Sequence, residues 1–334
     1  MQKRYHLYAI GNALVDTEIE VSDDFLASMD IGKGMMTLVD EDRQHTLVKA
    51  LAQEANQHKR ASGGSACNTV VAAQYFGAKT YYACKVADDE TGAFFVNDLS
   101  AAGVDTNMHS TRPDGISGKC LVMVTPDAER TMNTFLGISE TVSVDELDED
   151  AIRASEYVYL EGYLVTSETG RAATIRLREL AEAAGVRTAL TFSDPAMAKF
   201  FRDGLAEMMG EGVDLLFCNE EEALLFTGKD NLDDAVEVLM GQCRSLVITL
   251  GAKGALLWDG EAMQQVEPVT VKAVDTNGAG DMFAGAFIYG ITHGYSFADA
   301  GKLASAASAK VVSDFGPRLQ PEEHAFIRQK VLGK

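Results

Sequence analysis

The strongest constraint on the fold is an alternation of short apolar runs with helical stretches in the second half of the chain. Tyr157–Leu160, Arg187–Phe192, Asp214–Phe217 and Leu246–Thr249 are the apolar runs, and stretches such as Glu168–Ala184 and Leu232–Met240 lie between them. Short strands that are apolar on both faces belong to parallel sheets, whose crossover helices cover both sides. Earlier in the chain, Tyr5–Gly11 reads as a buried first strand, Lys79–Val86 as another, and Glu90–Ala101 as a helix. The expected class is α/β, a parallel central sheet sandwiched by helices. At 334 residues, one such domain over 1–334 has room for a sizeable core.

Two regions break this rhythm. Thr17–Val21 alternates polar and apolar residues, as a half-exposed strand does. Lys119–Thr125 and Arg130–Phe135 are β-like and are joined at the turn signal Pro126-Asp127. Segments 17–40 and 110–138 therefore read as β-only. They are expected to pair as a small lid over the sheet's C-terminal edge, where open α/β folds bind ligands, and to close on what binds there.

Composition limits the partners. There are 29 Lys and Arg against 50 Asp and Glu, a formal charge of −21. Nucleic acid is a poor partner for so anionic a surface, although backbone N–H groups can still bind a phosphate locally. The five cysteines (Cys67, Cys84, Cys120, Cys218, Cys243) form no CxxC pair, which suits reduced thiols in a cytoplasmic protein. Neither a signal peptide nor a membrane span is expected, because the first residues contain no long apolar run.

The sharpest local feature is Asp275-Thr276-Asn277-Gly278-Ala279-Gly280-Asp281. A strand-like run, Val269–Val274, is expected to enter it and a helix of small residues to leave it. The N–H groups of Gly278, Ala279 and Gly280 would then project from a helix N-terminus, where anions are favoured. Transfer of a phosphoryl group needs such a cradle, since it is catalysed mainly by positioning and charge stabilisation. Asp281 beside it can accept the proton of an attacking hydroxyl, and the helix dipole is expected to keep it ionised. An ordinary helix start with Asp as a cap would use the same residue types. Other nucleotide motifs are missing. Gly115-Ile116-Ser117-Gly118-Lys119-Cys120 lacks the spacing of a P-loop, and no GxGxxG follows the first strand.

Taken with Gly63-Gly64-Ser65-Ala66-Cys67-Asn68 and the run VVAAQYFGA, these residues resemble the two signatures of the ribokinase-like (PfkB) carbohydrate and nucleoside kinases. The likeness runs from about residue 5 to about 317, and it includes Asn219-Glu220-Glu221-Glu222 and the turn Thr249-Leu250-Gly251-Ala252-Lys253-Gly254. It implies an ATP-dependent kinase using Mg²⁺. Asp281 would be the base and Gly278, Ala279 and Gly280 the anion hole. Asn219 and Glu222 would organise the metal, although a helix N-terminus uses the same pair. Thr249, Gly251 and Gly254 would lie at the nucleotide, although a plain turn would also read this way. Asn12, Asp16, Gly64 and Asn68 would hold the acceptor's hydroxyls, and Arg130 of the lid would reach a phosphate or face solvent. Some relatives bind K⁺ near the anion hole, which directs attention to 271–275 and 308–313 and leaves K⁺ use open.

Within the family, the Asn of DTNGAGD and the string GNALVD resemble the adenosine kinases. A nucleoside acceptor would need an apolar slot, for which Leu14, Met36, Phe135, Leu136 and Tyr163 are candidates. Ala66 and Cys67 depart from the bulkier polar residues of animal adenosine kinases. A sugar acceptor, of the ribose or fructose type, remains the alternative. Lid strands pair between subunits in some relatives, so both a monomer and a homodimer are open.

Overall fold

The structure, a computed structural model, describes residues 3–52, 58–108 and 112–333. Residues 110 and 111 of the expected lid lie outside these. Fourteen strands occur among the described residues: β1 Tyr5–Ile10, β2 Leu14–Glu20, β3 Met36–Leu38, β4 His58–Gly63, β5 Thr80–Ala83, β6 Asp105–Thr106, β7 Gly118–Val124, β8 Arg130–Phe135, β9 Ser155–Glu161, β10 Arg187–Thr191, β11 Leu215–Asn219, β12 Leu246–Thr249, β13 Ala255–Trp258 and β14 Met263–Val266. Nine form the main sheet in the order β14-β13-β12-β11-β10-β9-β1-β5-β6, parallel except for the hairpin-like edge β12-β13-β14. This is the mostly parallel central sheet expected from the sequence.

The central strands are apolar on both faces because both faces are covered. Leu7 and Ala9 of β1, Tyr157 and Tyr159 of β9, and Leu215 and Phe217 of β11 enter one core. Their neighbours Tyr8, Ile10, Val158, Leu160, Leu216 and Cys218 enter the other. The first core is closed by the helices Ser65–Phe76, Ala279–Thr292 and Phe297–Val312. These are rich in Gly and Ala, so their backbones pass close together. A Cβ added at Gly285 would sit 2.6 Å from the Thr69 carbonyl and 2.7 Å from Ala72 Cβ. The helix that begins at Ala279 is thus held hard against the one that begins at Ser65.

The second sheet has the order β3-β8-β7-β2-β4. The expected second small sheet is present, with differences in detail. Segment 17–40 is not β-only: Asp23–Ser28 is a helix, with Ser22 accepting from Phe25 N–H and Asp23 and Asp24 in its first turn. Strand β4, directly before Gly64, was not expected. Outward-facing Ile19, Leu121 and Met123 pack under the helices Asp23–Ser28 and Glu41–Leu51 through Phe25, Leu26, Leu47 and Leu51. The inner face turns toward the main sheet.

Val269–Val274 is a second correction. It is irregular rather than a strand, and Val269, Val271 and Val274 are 48%, 41% and 40% exposed. The β14 ladder ends at Val266, and Pro268, which has no N–H to donate, follows. The alternation of apolar and polar residues there describes a loop that leans on a cavity.

Substituting Gly285→Ala should lower stability by about 1–3 kcal/mol through overpacking, read as a shift of the urea midpoint at unchanged slope. A neutral midpoint would show that the two helices are free to move apart.

Candidate active site

Five consecutive parallel strands of the main sheet end at one cavity. Asn12 follows β1, and Glu161, Thr191, Asn219 and Thr249 are the last residues of β9, β10, β11 and β12; all five line it. Its volume is about 330 Å³. Asp16 and Leu14 of β2, Gly64 and Asn68, and Arg130, Met132 and Thr134 of β8 complete the wall with Gly278–Asp281. A second cavity of about 480 Å³ lies between Gly251, Gly254, Val269, Val271, Ser308 and Val312. The two share Thr249, Gly251, Thr276, Ala279, Gly280 and Phe283, so they meet at the start of the helix Ala279–Thr292.

That start opens onto both cavities. Gly278 takes φ +71° as the residue before the helix, and a Cβ there would strike Pro317. By contrast, a Cβ at Gly280 would meet nothing within 4 Å. Packing does not require glycine at 280, and the space it leaves belongs to both cavities. First-turn N–H groups have no partners inside their own helix and carry its positive dipole end.

Asp281 is not a cap. Its side chain crosses to the neighbouring helix, where Ser65 Oγ donates to Oδ1 at 2.7 Å and Asn68 Nδ2 donates to Oδ2 at 3.1 Å. Desolvation in the cavity raises its pKa, against the lowering effect of Ser65, Asn68, Arg130 and Arg318. The sequence expectation that the helix dipole keeps it ionised omitted this burial. Arg130 Nη1 donates to Asn277 Oδ1 at 3.1 Å, and Asn277 Nδ2 donates to Glu18 Oε1 at 3.0 Å, so β8 and β2 both grip the turn before the helix. Asp275 accepts from Asn277 N–H at 2.8 Å and from Gly316 N–H at 2.9 Å.

Three more carboxylates are buried here. Burial pushes Asp16 up to about 7, with Arg318 the largest opposing influence. Glu161 is also pushed to about 7 by burial. Its Oε1 accepts from Asn12 N–H and Nδ2 at 3.0 and 3.2 Å, and its Oε2 accepts from Ala66 N–H at 2.8 Å. Burial pushes Glu222 to about 8. It forms a capping box with Asn219, whose Oδ1 accepts from Glu222 N–H at 2.8 Å while its Nδ2 donates to Glu222 Oε1 at 2.8 Å. The helix-start reading of this motif is therefore realised, and both side chains still line the cavity.

The structure assembles Asn12, Asp16, Gly64, Asn68, Arg130, Asn219, Glu222, Thr249, Gly251 and Gly278–Asp281 around the first cavity, while Gly254 lines only the second. Gly254 also has a packing reason, since a Cβ would fall 2.0 Å from the Val266 carbonyl. Leu14, Met36, Leu136 and Tyr163 line the first cavity as expected for an apolar slot, but Phe135 does not. Side chains alternate across a strand, so Arg130, Met132 and Thr134 face inward while Phe135 turns to a separate surface groove beside Ile116 and Ile138. Segments 271–275 and 308–313 do meet, with Val274 N–H donating to the Val312 carbonyl at 2.9 Å. Sequence reasoning missed Ser65, Glu161 and Arg318. A charged residue ending the apolar run of β9 was a signal for Glu161; Arg318 offered none.

Residues 28–324 match the pfkB family carbohydrate kinase pattern. The crystal structure of adenosine kinase from Sinorhizobium meliloti superposes with a TM-score of 0.92 at 34% identity, covering 98% of this chain and 99% of that one. A probable sugar kinase from Rhizobium etli CFN 42 gives 0.91 at 31% identity, covering 99% of each. Adenosine kinase of Saccharomyces cerevisiae is 28% identical over 96% of this chain and 99% of its own length. A sheet-edge cavity with this signature helix is that of a phosphotransferase with an alcohol acceptor. The chain belongs to the pfkB carbohydrate kinase family.

Asp16 has a raised pKa in the fold, so its ionisation opposes folding as pH rises from about 4 through about 7. Below that range it is protonated and contributes no penalty. Asp16→Asn without ligands should therefore melt at a higher temperature than wild type at pH 8, and the gap should narrow at pH 5. Equal melting curves at pH 8 would show that Asp16 is ionised without cost.

Proposed function

We propose that this enzyme transfers the γ-phosphoryl group of ATP to the 5′-hydroxyl of adenosine. The observation that carries the acceptor assignment is the mixed lining of the first cavity. Asn12, Asp16 and Asn68 line it and suit a vicinal diol. Leu14, Met36, Leu38, Met132, Leu136 and Tyr163 supply an apolar wall, where a purine would be desolvated and stacked. A free pentose or hexose would leave that wall uncovered. The names of the relatives above support both nucleoside and sugar acceptors, and the apolar wall favours the nucleoside.

ATP fits the second cavity, with its adenosine between Val269, Val271 and Val312 and its phosphates toward Gly278–Gly280. The acceptor oxygen attacks the γ-phosphorus, its O–P bond forming as the bond to the β-bridging oxygen breaks. The acceptor's proton passes to the Asp281 carboxylate, and ADP leaves. Developing charge on the transferred group meets the N–H groups of Gly278, Ala279 and Gly280 and the guanidinium of Arg130.

Among the described residues, no group of three or more His, Cys, Asp or Glu side chains is placed to hold a metal. Mg²⁺ needs no such cage, since it is held largely by phosphate oxygens and water with one or two carboxylates. Glu222, pushed to about 8 by burial, is a carboxylate whose charge a nearby cation would relieve, and Asn219 orients it. These two residues would hold the ion, which supplies charge neutralisation at the phosphates.

Adenosine, inosine, guanosine, ribose and fructose, compared at one concentration with ATP, test the acceptor: adenosine should be phosphorylated fastest. A preference for ribose or fructose would replace this reading with that of a sugar kinase. Asp281→Asn should reduce kcat by about 10² or more while adenosine still binds. Gly280→Ala should fold as stably as wild type yet lose activity, because its methyl group enters only the ligand space. Full activity in that variant would remove residue 280 from the anion hole.

A further inference from the structure

A short strap after the helix Phe297–Val312 joins both halves of the site. Gly316 N–H holds Asp275, Pro317 packs on Gly278, and the next residue, Arg318, reaches the acceptor side. Its Nε donates to Asn68 Oδ1 at 2.9 Å, and Nη1 donates to Ser62 Oγ at 2.9 Å and Asp98 Oδ2 at 3.1 Å. Nη2 approaches Cys67 Sγ at 3.2 Å. The side chain is only 12% exposed, so these contacts are its environment rather than a choice among many.

We propose that Arg318 is a positioning residue for the reaction, fixing the Asn68 amide so that its NH₂ rather than its oxygen faces Asp281. An amide has two nearly isosteric ends. With Nε–H bonded to Oδ1, only the donor end remains for Asp281 Oδ2. Turned over, the same amide would set a carbonyl oxygen against the carboxylate. Asp98, Arg318, Asn68 and Asp281 thus form a chain of bonds from a partly exposed anion to the base. This inference rests on the function proposed above.

The charge of Arg318 acts in the same direction. It lowers the pKa of both Asp281 and Asp16, two carboxylates that burial raises. The other charged or titratable groups that face Asp281 are Arg130 from β8, Asp16 from β2, Tyr159 and Glu161 from β9, and Tyr163 just after it. Arg318 itself faces Asp98, Cys67, Tyr75 and Tyr82. Among the described residues, Arg130 and Arg318 both act on the base as cations, and of the two Arg318 is also bonded to a residue that donates to it.

The test is the pH profile of kcat/KM for adenosine with Arg318→Met and Arg318→Lys, each checked for folding by circular dichroism. The base must be ionised, so losing the cation and the amide orientation should move the acid limb upward. A shift of about one pH unit is expected for Met and a smaller one for Lys. The activity loss should approach about tenfold on the acid side of the wild-type inflection and shrink on its alkaline side. A loss that is equal at every pH in a folded variant would overturn the proposal, and if Met fails to fold, Lys decides by the same criterion. A carboxyl ¹³C titration of Asp281 in the ligand-free protein needs no turnover and must move upward as well. An inactive wild type would refute the proposed function alone, whereas an unmoved Asp281 refutes the role of Arg318.

Discussion

A carboxylate placed in a desolvated cavity at the start of a helix is the arrangement on which the rest of the molecule depends. Burial raises the pKa of Asp281, and donors and cations brought to it from elsewhere oppose that rise. Ser65 and Asn68 come from the neighbouring helix, Arg130 from the second sheet, and Arg318 from the strap. Each must be held to within a fraction of an ångström for a hydrogen bond to persist. The packing of Gly285 on Thr69 and Ala72 serves this requirement, because it sets the distance between the two helix starts. Core geometry and chemistry are here the same problem.

The two sheets divide the labour. The parallel main sheet delivers Asn12, Glu161, Thr191, Asn219 and Thr249 to one edge simply because its strands end there. The second sheet covers that edge and contributes Asp16, Arg130 and most of the apolar wall. Asn277 links them, accepting from Arg130 and donating to Glu18. A change in the position of the second sheet would therefore reach the turn before the helix Ala279–Thr292 through these two hydrogen bonds.

What was legible in the sequence was what is local in the chain. The helix start at 278–281 and the Gly64–Asn68 segment could be recognised because their function lies within a few consecutive residues. The apolar runs of β9 to β12 declared a parallel sheet for the same reason. Glu161 and Arg318 act through partners far away in sequence; Arg318 Nε meets an Asn68 that lies 250 residues earlier. No spacing rule can carry that information. Phe135 was misassigned because composition was allowed to outweigh the two-residue period of a strand, which sends it away from Arg130, Met132 and Thr134. Val269–Val274 was misassigned in the opposite way, since the period was present but the neighbouring strand that would pair with it was not.

The account stands on two ligands meeting at one helix N-terminus. Its most direct test is a crystal structure with adenosine and a non-hydrolysable ATP analogue bound together. The terminal phosphate should lie within hydrogen-bonding distance of the Gly278–Gly280 amides, with the nucleoside's 5′-oxygen between it and Asp281. A phosphate tail that runs elsewhere, or a nucleoside whose hydroxyls turn away from Asp16 and Asn68, would contradict it.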